Sequence, residues 1–289
     1  MSTQLPAGVS VGHWTDAEGL TGCTVLLVPG GAVAGVDVRG GAPGTINTDG
    51  LRPGTVTEQA QGILLTGGST FGLSATSGVL RYLEERGIGL NFGSVAVPIV
   101  AGAVIFDLLA GDPTARPGPE AGYAACEAAT ASPDQGAVGA GTGASVAKAG
   151  GNEPCPGGVG LASAQAGGAV VAAVMVANSL GGIWDDDRHE WVASLTAWDY
   201  SSPMIPGGNT TIGAVVTDAV LTKEQANRVA AVAHDGIARA VRPAHTLYDG
   251  DTMFCLATGT VQAPLDAVEA VAAQVVARAI AAGVRAGQL

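Results

Sequence analysis

Short unbroken apolar runs are the most frequent hydrophobic pattern along this chain. Runs of this length that are rich in β-branched residues predict buried strands rather than helices. Four of them stand out, at residues 23–39, 168–178, 211–218 and 252–258. The first run is interrupted by Pro-Gly-Gly and therefore predicts two short strands.

A second pattern, with apolar residues three and four positions apart, predicts four helices. They cover residues 69–87, 119–131, 222–242 and 264–285. The third has the clearest start, because Thr222 and Gln225 have the spacing of a capping box. Strands that dominate the middle of the chain, flanked by helices, favour an α+β fold in which helices cover sheets.

Three stretches fit neither pattern cleanly. Residues 89–106 and 165–184 carry no charge over lengths that could cross a membrane. Gly, Asn, Ser or Pro interrupt both, and their apolar cores of about ten residues suit buried strands better, so we expect no membrane span. Residues 184–208 mix acidic and aromatic residues with Pro and Gly, without a period, and predict a long surface connection.

Composition changes this picture mainly through the low content of charge. Only 13% of the 289 residues are charged, against roughly 25% in average proteins, so we expect subunit contacts to cover part of the surface of a homo-oligomer. The net charge of −12, without a basic patch, argues against nucleic-acid binding. Four widely spaced cysteines form no C-x-x-C pair, which predicts reduced thiols. The first residues lack a signal-peptide pattern, so we expect a cytoplasmic protein.

The stretch "GGNTTIGAVV" at 207–216 places two threonines at the start of a predicted buried strand. A threonine hydroxyl is a weak nucleophile unless a base lies beside it, and a free N-terminal amine on the same residue can be that base. Self-cleavage between Asn209 and Thr210 would create this amine. The simpler interpretation is a polar turn ahead of a strand.

Other candidate groups lie in "YDGD" and in a Gly-rich stretch. Asp249 and Asp251 can form a carboxylate cluster with unequal pKa values, or a plain Asp-Gly turn. Lys148 lies among small residues, where it is either a buried donor or a solvated loop lysine. Asn178 ends a predicted strand and can stabilise an oxyanion or cap that strand. No ligand set has a known metal spacing, so we expect no metal.

The histidines give a weaker indication. His245 lies near Asp249, which suggests a Ser-His-Asp triad, but no G-x-S-x-G motif supplies the serine. His234 falls on a predicted helix face and is interpreted as structural.

Six motifs distributed over nearly the whole chain resemble one family when they are taken together. They are "GVDVRGGAPGT" (35–45), "LLTGGSTFGLSATSGV" (64–79), "GTGASVAKAGG" (141–151), "VANSLG" (176–181), "GNTTIGAVVTDA" (208–219) and "HTLYDGDTMFCLATG" (245–259). The chain resembles the self-processing N-terminal-nucleophile hydrolases that include L-aminopeptidase/D-esterase enzymes, β-peptidyl aminopeptidases and the nylon-oligomer hydrolase.

The resemblance implies a single domain, 1–289, folded as a four-layer αββα sandwich. It also implies self-cleavage into a large subunit, 1–209, and a small subunit, 210–289, assembled as a tetramer of processed units. No cofactor is implied. The substrate is expected to be a small amide or peptide, including linear polyamides.

The resemblance also implies roles for single residues. Thr210 matches the nucleophile, whose amine is the general base, and Asn178 matches the oxyanion donor. Lys148 matches the lysine near the nucleophile in the nylon-oligomer branch, and Asp249 and Asp251 match the paired aspartates of that branch.

One substrate-contacting position departs from the family pattern. Phe71 stands where several members have a tyrosine near the substrate, so one hydroxyl donor is missing there.

Two alternative functions stay open at this point. An acyltransferase of the ornithine-acetyltransferase type would pass the acyl group to an amine and not to water. A non-catalytic scaffold would keep the fold without processing.

Overall fold

The computed structural model describes residues 3–195 and 207–289. The first nine strands within these residues are β1 Ser10–Asp16, β2 Thr21–Val38, β3 Thr45–Ile46, β4 Gln59–Thr66, β5 Leu90–Asn91, β6 Ala96–Val97, β7 Val100–Val104, β8 Ser145–Val146 and β9 Cys155–Pro156. The next seven are β10 Gly158–Ala166, β11 Ala169–Asn178, β12 Gly182–Asp185, β13 Glu190–Ala193, β14 Thr210–Ala219, β15 Val241–Arg242 and β16 Thr252–Val261. The α-helices are α1 Ser69–Gly72, α2 Ala75–Glu84, α3 Pro119–Glu127, α4 Lys223–Ala240 and α5 Leu265–Gly287.

The largest sheet has the strand order β10-β11-β14-β16-β2-β4-β7-β3, with β1 added on β2. β2 divides this sheet into two halves, because its first part pairs with β1 and β4 while its last part pairs with β16. The register of β2 with β4 shifts between Leu27 and Ala32, and Gly31 has a φ of +78°. The prediction of two separate strands at 23–39 is therefore wrong: Pro-Gly-Gly bends one continuous strand.

Three apolar cores separate the layers of the fold. Strand residues alternate between two faces, so neighbouring residues of β11 enter different cores. Val174 and Val176 pack between the two half-sheets, whereas Ala173 and Met175 pack against α4 and α5. The opposite outer face, which includes Val25 and Leu64, packs against α2 and α3. The order helix–sheet–sheet–helix confirms the predicted α+β fold with four αββα layers.

Most of the predicted elements occur close to their expected bounds. Strands β11, β14 and β16 and helices α3, α4 and α5 are present, and the capping box of α4 is formed by Thr222 and Gln225. The helix predicted at 69–87 is instead two helices, α1 and α2. The chain turns between them through hydrogen bonds between residues three positions apart, such as Leu73 N–H to Thr70 O (3.4 Å). Gly72 packs directly on the Gly67 carbonyl.

Two of the unusual stretches also form strands. Residues 89–106 contain β5, β6 and β7, and 165–184 contains β11 and the start of β12. The long connection predicted at 184–208 contains β13 and part of β12, and its residues 196–206 lie outside the described residues. One described helix, α5, is long and apolar enough to cross a membrane, but 61% of its apolar window is buried inside the protein.

Candidate active site

Three neighbouring strand ends meet at one edge of the largest sheet. β11 and β14 are antiparallel, so the last residue of β11, Asn178, pairs with the first residue of β14, Thr210. β14 and β16 are parallel, so the start of β16 lies beside the start of β14, and Asp251 directly precedes that start. The topology therefore brings together side chains that are distant in sequence.

Thr210 is only 3% exposed, and its hydroxyl donates to the carbonyl oxygen of Asn209. The backbone N–H of Gly250 donates to the same carbonyl oxygen at 2.9 Å. A side-chain carbon at position 250 would lie 2.9 Å from the Thr210 Oγ1, so the close approach of this backbone requires glycine. A hydroxyl and an N–H donor thus both face the peptide group that precedes Thr210.

Both predicted carboxylates are almost fully buried beside this peptide group. Asp251 accepts the Thr211 N–H through Oδ1 at 2.6 Å, and Asp249 accepts the Leu180 N–H at 3.3 Å. Asp249 also accepts the N–H (3.2 Å) and the hydroxyl of Thr246. Burial, reinforced by the neighbouring Asp251 carboxylate, raises the pKa of Asp249 to about 6. Asp249 therefore takes up a proton at a higher pH than an exposed aspartate does.

Lys148 connects the strand end to the residues before Thr210. Its Nζ donates to Asn178 O at 3.0 Å, to Asn178 Oδ1 at 3.1 Å and to Gly208 O at 3.1 Å. Burial lowers the pKa of Lys148 to about 7, although the Asp249 carboxylate opposes this shift. Three acceptors match the three donors of an ammonium group, so the hydrogen bonds favour the charged form.

The side-chain amide of Asn178 is already partly used within the fold. Its Oδ1 accepts the Ser145 N–H at 3.0 Å, and its Nδ2 donates to Phe106 O at 3.2 Å. One N–H of this amide is thus engaged by the protein, which leaves the second for an incoming oxygen.

A cavity of about 400 Å³ opens next to these residues. Its walls combine apolar side chains with two charged ones: Phe106, Leu109, Ala110, Pro154, Leu180, Asp107 and Lys148. Gly208 and Asn209 also line it. The cavity therefore begins at the peptide segment that precedes Thr210, and its apolar walls suit an aliphatic acyl group.

Asp107 is a buried carboxylate in the cavity wall that the sequence did not single out. Its two oxygens accept the Thr21 hydroxyl at 2.7 Å and the Gly68 N–H at 2.6 Å. Burial raises the pKa of Asp107. These contacts fix the loop after β4 against the cavity.

Phe71 lies apart from this cluster. Its side chain is 56% exposed, and the Arg116 guanidinium lies 3.7 Å from the ring centroid. Phe71 is not among the described residues that line the cavity. Its substrate contact stays a prediction.

The sequence suggested a contact between His245 and Asp249, but the His245 ring binds Asp251 instead. Sequence reasoning missed two further groups near the threonine: Thr246, which binds Asp249, and the Gly250 N–H, which binds the Asn209 carbonyl oxygen. A backbone donor such as the Gly250 N–H is not visible in residue type. Among the described residues, no group of three His, Cys, Asp or Glu side chains is placed to hold a metal ion.

Sequence comparisons identify the family of the chain. The family model of peptidase family S58 matches residues 6–288. An uncharacterized aminopeptidase of Mycobacterium tuberculosis is 41% identical, over 96% of this chain and 91% of that protein. A 6-aminohexanoate-oligomer endohydrolase of a Kocuria species is 35% identical, over 89% of this chain and 75% of that protein.

Solved structures share the fold at lower identity. The L-aminopeptidase D-Ala-esterase/amidase of Ochrobactrum anthropi, described as a variant of the Ntn-hydrolase fold, superposes with a TM-score of 0.74 at 20% identity, over 97% of this chain and 85% of that one. A β-aminopeptidase of a Burkholderia species gives 0.72 at 23% identity, over 96% and 84%. The predicted N-terminal-nucleophile-hydrolase fold and the family resemblance are both confirmed. The chain belongs to peptidase family S58, a family of amide-bond hydrolases.

Proposed function

We propose that this protein cuts its own chain between Asn209 and Thr210 and then hydrolyses amide bonds with Thr210 as an N-terminal nucleophile. One observation carries the proposal. The Thr210 hydroxyl lies against the Asn209 carbonyl group while the Gly250 N–H donates to the oxygen of that carbonyl at 2.9 Å. A nucleophile and an oxyanion donor thus face one peptide bond.

The proposed self-cleavage starts from this arrangement. The Thr210 Oγ attacks the Asn209 carbonyl carbon and loses its proton, and the Gly250 N–H stabilises the negative oxygen. The acyl group then shifts from the Thr210 nitrogen, which gains a proton, to the Thr210 oxygen. Water hydrolyses the resulting ester, leaving a carboxylate on Asn209 and a free α-amine on Thr210.

Lys148 supports this step from the other side. Its bond to Gly208 O fixes the segment before the cleaved bond, while its bonds to Asn178 fix the end of β11. Since Gly208 and Asn209 line the cavity and Thr210 is buried, cleavage would free the segment that separates the nucleophile from the cavity.

The mature enzyme would use the same oxygen on a substrate. The new α-amine, with an ordinary pKa of about 8, accepts the proton of the Thr210 hydroxyl as it attacks the substrate carbonyl. The second N–H of the Asn178 amide binds the developing oxyanion. The amine of the substrate leaves first, and water then releases the acid from the acyl-enzyme.

The substrate class rests on the cavity and on the relatives. Apolar walls beside the cleaved bond accept an aliphatic acyl chain, such as that of a short peptide or a linear polyamide. The names of the relatives, aminopeptidase and 6-aminohexanoate-oligomer endohydrolase, support the same range. Assembly as a tetramer, a cytoplasmic location and independence from cofactors stay predictions.

Denaturing gel electrophoresis of matched variants tests this function. The wild type and Thr210→Ser should separate into fragments 1–209 and 210–289, since serine keeps the nucleophilic oxygen. Thr210→Ala should stay intact and inactive, whereas Thr211→Val, which changes a hydroxyl with no hydrogen-bond partner among the described residues, should still be cleaved. Cleaved or active Thr210→Ala would refute the nucleophile.

The same assay separates the two alternatives. A persistent intact wild-type chain would favour a scaffold. Cleaved protein that transfers an acyl group to amino acids faster than to water would favour an acyltransferase.

A further inference from the structure

His245 binds the buried carboxylate of Asp251 with two donors. Its backbone N–H lies 3.0 Å and its ring Nδ1 lies 2.7 Å from the same oxygen, Asp251 Oδ2. Because Nδ1 faces a carboxylate oxygen, the proton of the ring is placed on Nδ1. His245 reaches this position with a φ of +55°, in the left-handed region that few side chains adopt.

The other oxygen of Asp251 holds the strand that carries the nucleophile. Asp251 Oδ1 accepts the Thr211 N–H at 2.6 Å, one residue after Thr210. In the intact chain, Thr210 is also anchored through its peptide bond to Asn209. After scission that anchor is gone, so the Thr211–Asp251 bond becomes a main constraint on the new N-terminus.

A second histidine packs behind the first without adding charge. The rings of His234 and His245 pack edge to face, with their centroids 4.8 Å apart. His234 Nε2 lies 3.0 Å from Asp37 O and 3.2 Å from Asp37 Oδ1, so Nε2 carries the proton. Burial lowers the pKa of His234 to about 4, with His245 and Arg39 acting in the same direction and Asp37 opposing them. His234 is therefore a neutral support for the His245 ring.

We propose that His245 is a positioning residue for amide hydrolysis: its Nδ1–H orients Asp251, and Asp251 in turn holds the Thr211 backbone so that Thr210 stays in place after scission. This inference rests on the proposed role of Thr210. His245 is not among the described residues that line the cavity, so substrate binding should not depend on it.

Three substitutions separate the ring donor from the backbone conformation. His245→Asn places its side-chain N–H at the position of Nδ1 and tolerates the left-handed backbone. His245→Gly tolerates that backbone even better but has no side-chain donor. His245→Gln carries its N–H one bond further out, at the position of Nε2.

The experiment compares the extent of processing, and kcat and KM per processed chain, on an amide substrate that the wild type hydrolyses. His245→Asn should keep kcat within about threefold of the wild type, whereas His245→Gly and His245→Gln should lose about tenfold to a hundredfold, the usual range for a lost bond to a charged group. KM should change by less than about twofold in all three, because the cavity wall is unchanged. Thermal melting of each variant confirms that it is folded.

Two results would overturn the proposal in distinguishable ways. If the wild type is cleaved and active but His245→Asn and His245→Gly have equal kcat, the proposed role of His245 is refuted while the proposed function stands. A wild type that is never cleaved would refute the proposed function on which this role depends.

Discussion

Threonine and aspartate side chains lie at both ends of β14, but they have different roles at the two ends. At the far end, the Thr217 hydroxyl donates to Val170 O at 2.8 Å and accepts the Ala219 N–H at 3.1 Å. Asp218 accepts the Val170 N–H at 2.7 Å. Each of these polar groups completes a hydrogen bond of the sheet.

At the near end, the threonine hydroxyls do not complete hydrogen bonds of the sheet. The Thr210 hydroxyl faces the carbonyl of its own preceding residue, and the Thr211 hydroxyl has no hydrogen-bond partner among the described residues. Asp249 and Asp251 are buried side by side, which costs free energy because their charges repel in a poorly solvated site. The difference teaches that residue type alone does not mark a site, whereas an unfavourable clustering of ionisable groups does.

The largest effect is expected from replacing Lys148, and Lys223, which lies away from the cleaved bond, serves for comparison. Lys148 binds three oxygens beside the cleaved bond, and Lys223 binds three oxygens of a loop, Gly50 O, Thr55 O and Thr55 Oγ1. Lys148→Met should slow self-cleavage about a hundredfold, because the segment before Thr210 loses its alignment. Timed denaturing gels of the refolded protein measure this rate.

Lys223→Met is the matched control for that change. It should lower the free energy of unfolding by about 2 kcal/mol, since the buried Lys223 side chain loses its hydrogen bonds to the loop oxygens, while the folded fraction is cleaved at the wild-type rate. Equal cleavage rates in the two variants would remove the distinction between the two lysines.

The next-largest expected effect is a change of the free energy of unfolding with pH. His234 packs behind the near end, and its pKa is lowered from 6.5 to about 4. In the unfolded chain His234 therefore gains a proton below pH 6.5, whereas in the folded protein it stays neutral down to about pH 4. The corresponding stability is present above pH 6.5 and is lost as the pH falls, by about 2 to 3 kcal/mol in total.

Denaturant unfolding of the wild type and His234→Gln at pH 7 and pH 4 measures this loss. Glutamine keeps a donor near the position of Nε2 but does not titrate, so its stability should fall less. Asp249 shifts stability in the opposite direction over this range, but it is present in both proteins and cancels. Parallel losses in the two proteins would exclude His234 as their source.

The smallest effect concerns the far end itself. Thr217→Val removes one buried hydroxyl with two backbone partners and should cost about 1 to 2 kcal/mol in unfolding free energy. Self-cleavage should be unchanged. A slower cleavage in a folded Thr217→Val protein would show that the two ends of β14 are coupled.

Much of this fold follows from local pattern. β11, β14 and β16 are unbroken apolar runs, and α4 and α5 keep one apolar face over many turns, so period and length identify them. The bend of β2 was misjudged because Pro-Gly-Gly signals a turn and a bulge equally well. That choice depends on the partners β4 and β16, which the local pattern does not reveal.

The site divides in the same way. Thr210, Lys148 and the two aspartates stood out as polar residues among apolar or small neighbours. The His245–Asp251 bond and the place of Asp107 depend on chain segments meeting in three dimensions, and the Gly250 donor is a backbone group. Residue spacing cannot reveal such contacts.

The central claim is that the chain is cut before Thr210. Intact mass measurement of purified, active protein under denaturing conditions, with N-terminal sequencing of the smaller species, tests it most directly. The account predicts two species, corresponding to residues 1–209 and 210–289, and threonine as the first residue of the smaller one. Full activity in a preparation that contains only the uncut chain, or a smaller species beginning at another residue, would contradict it.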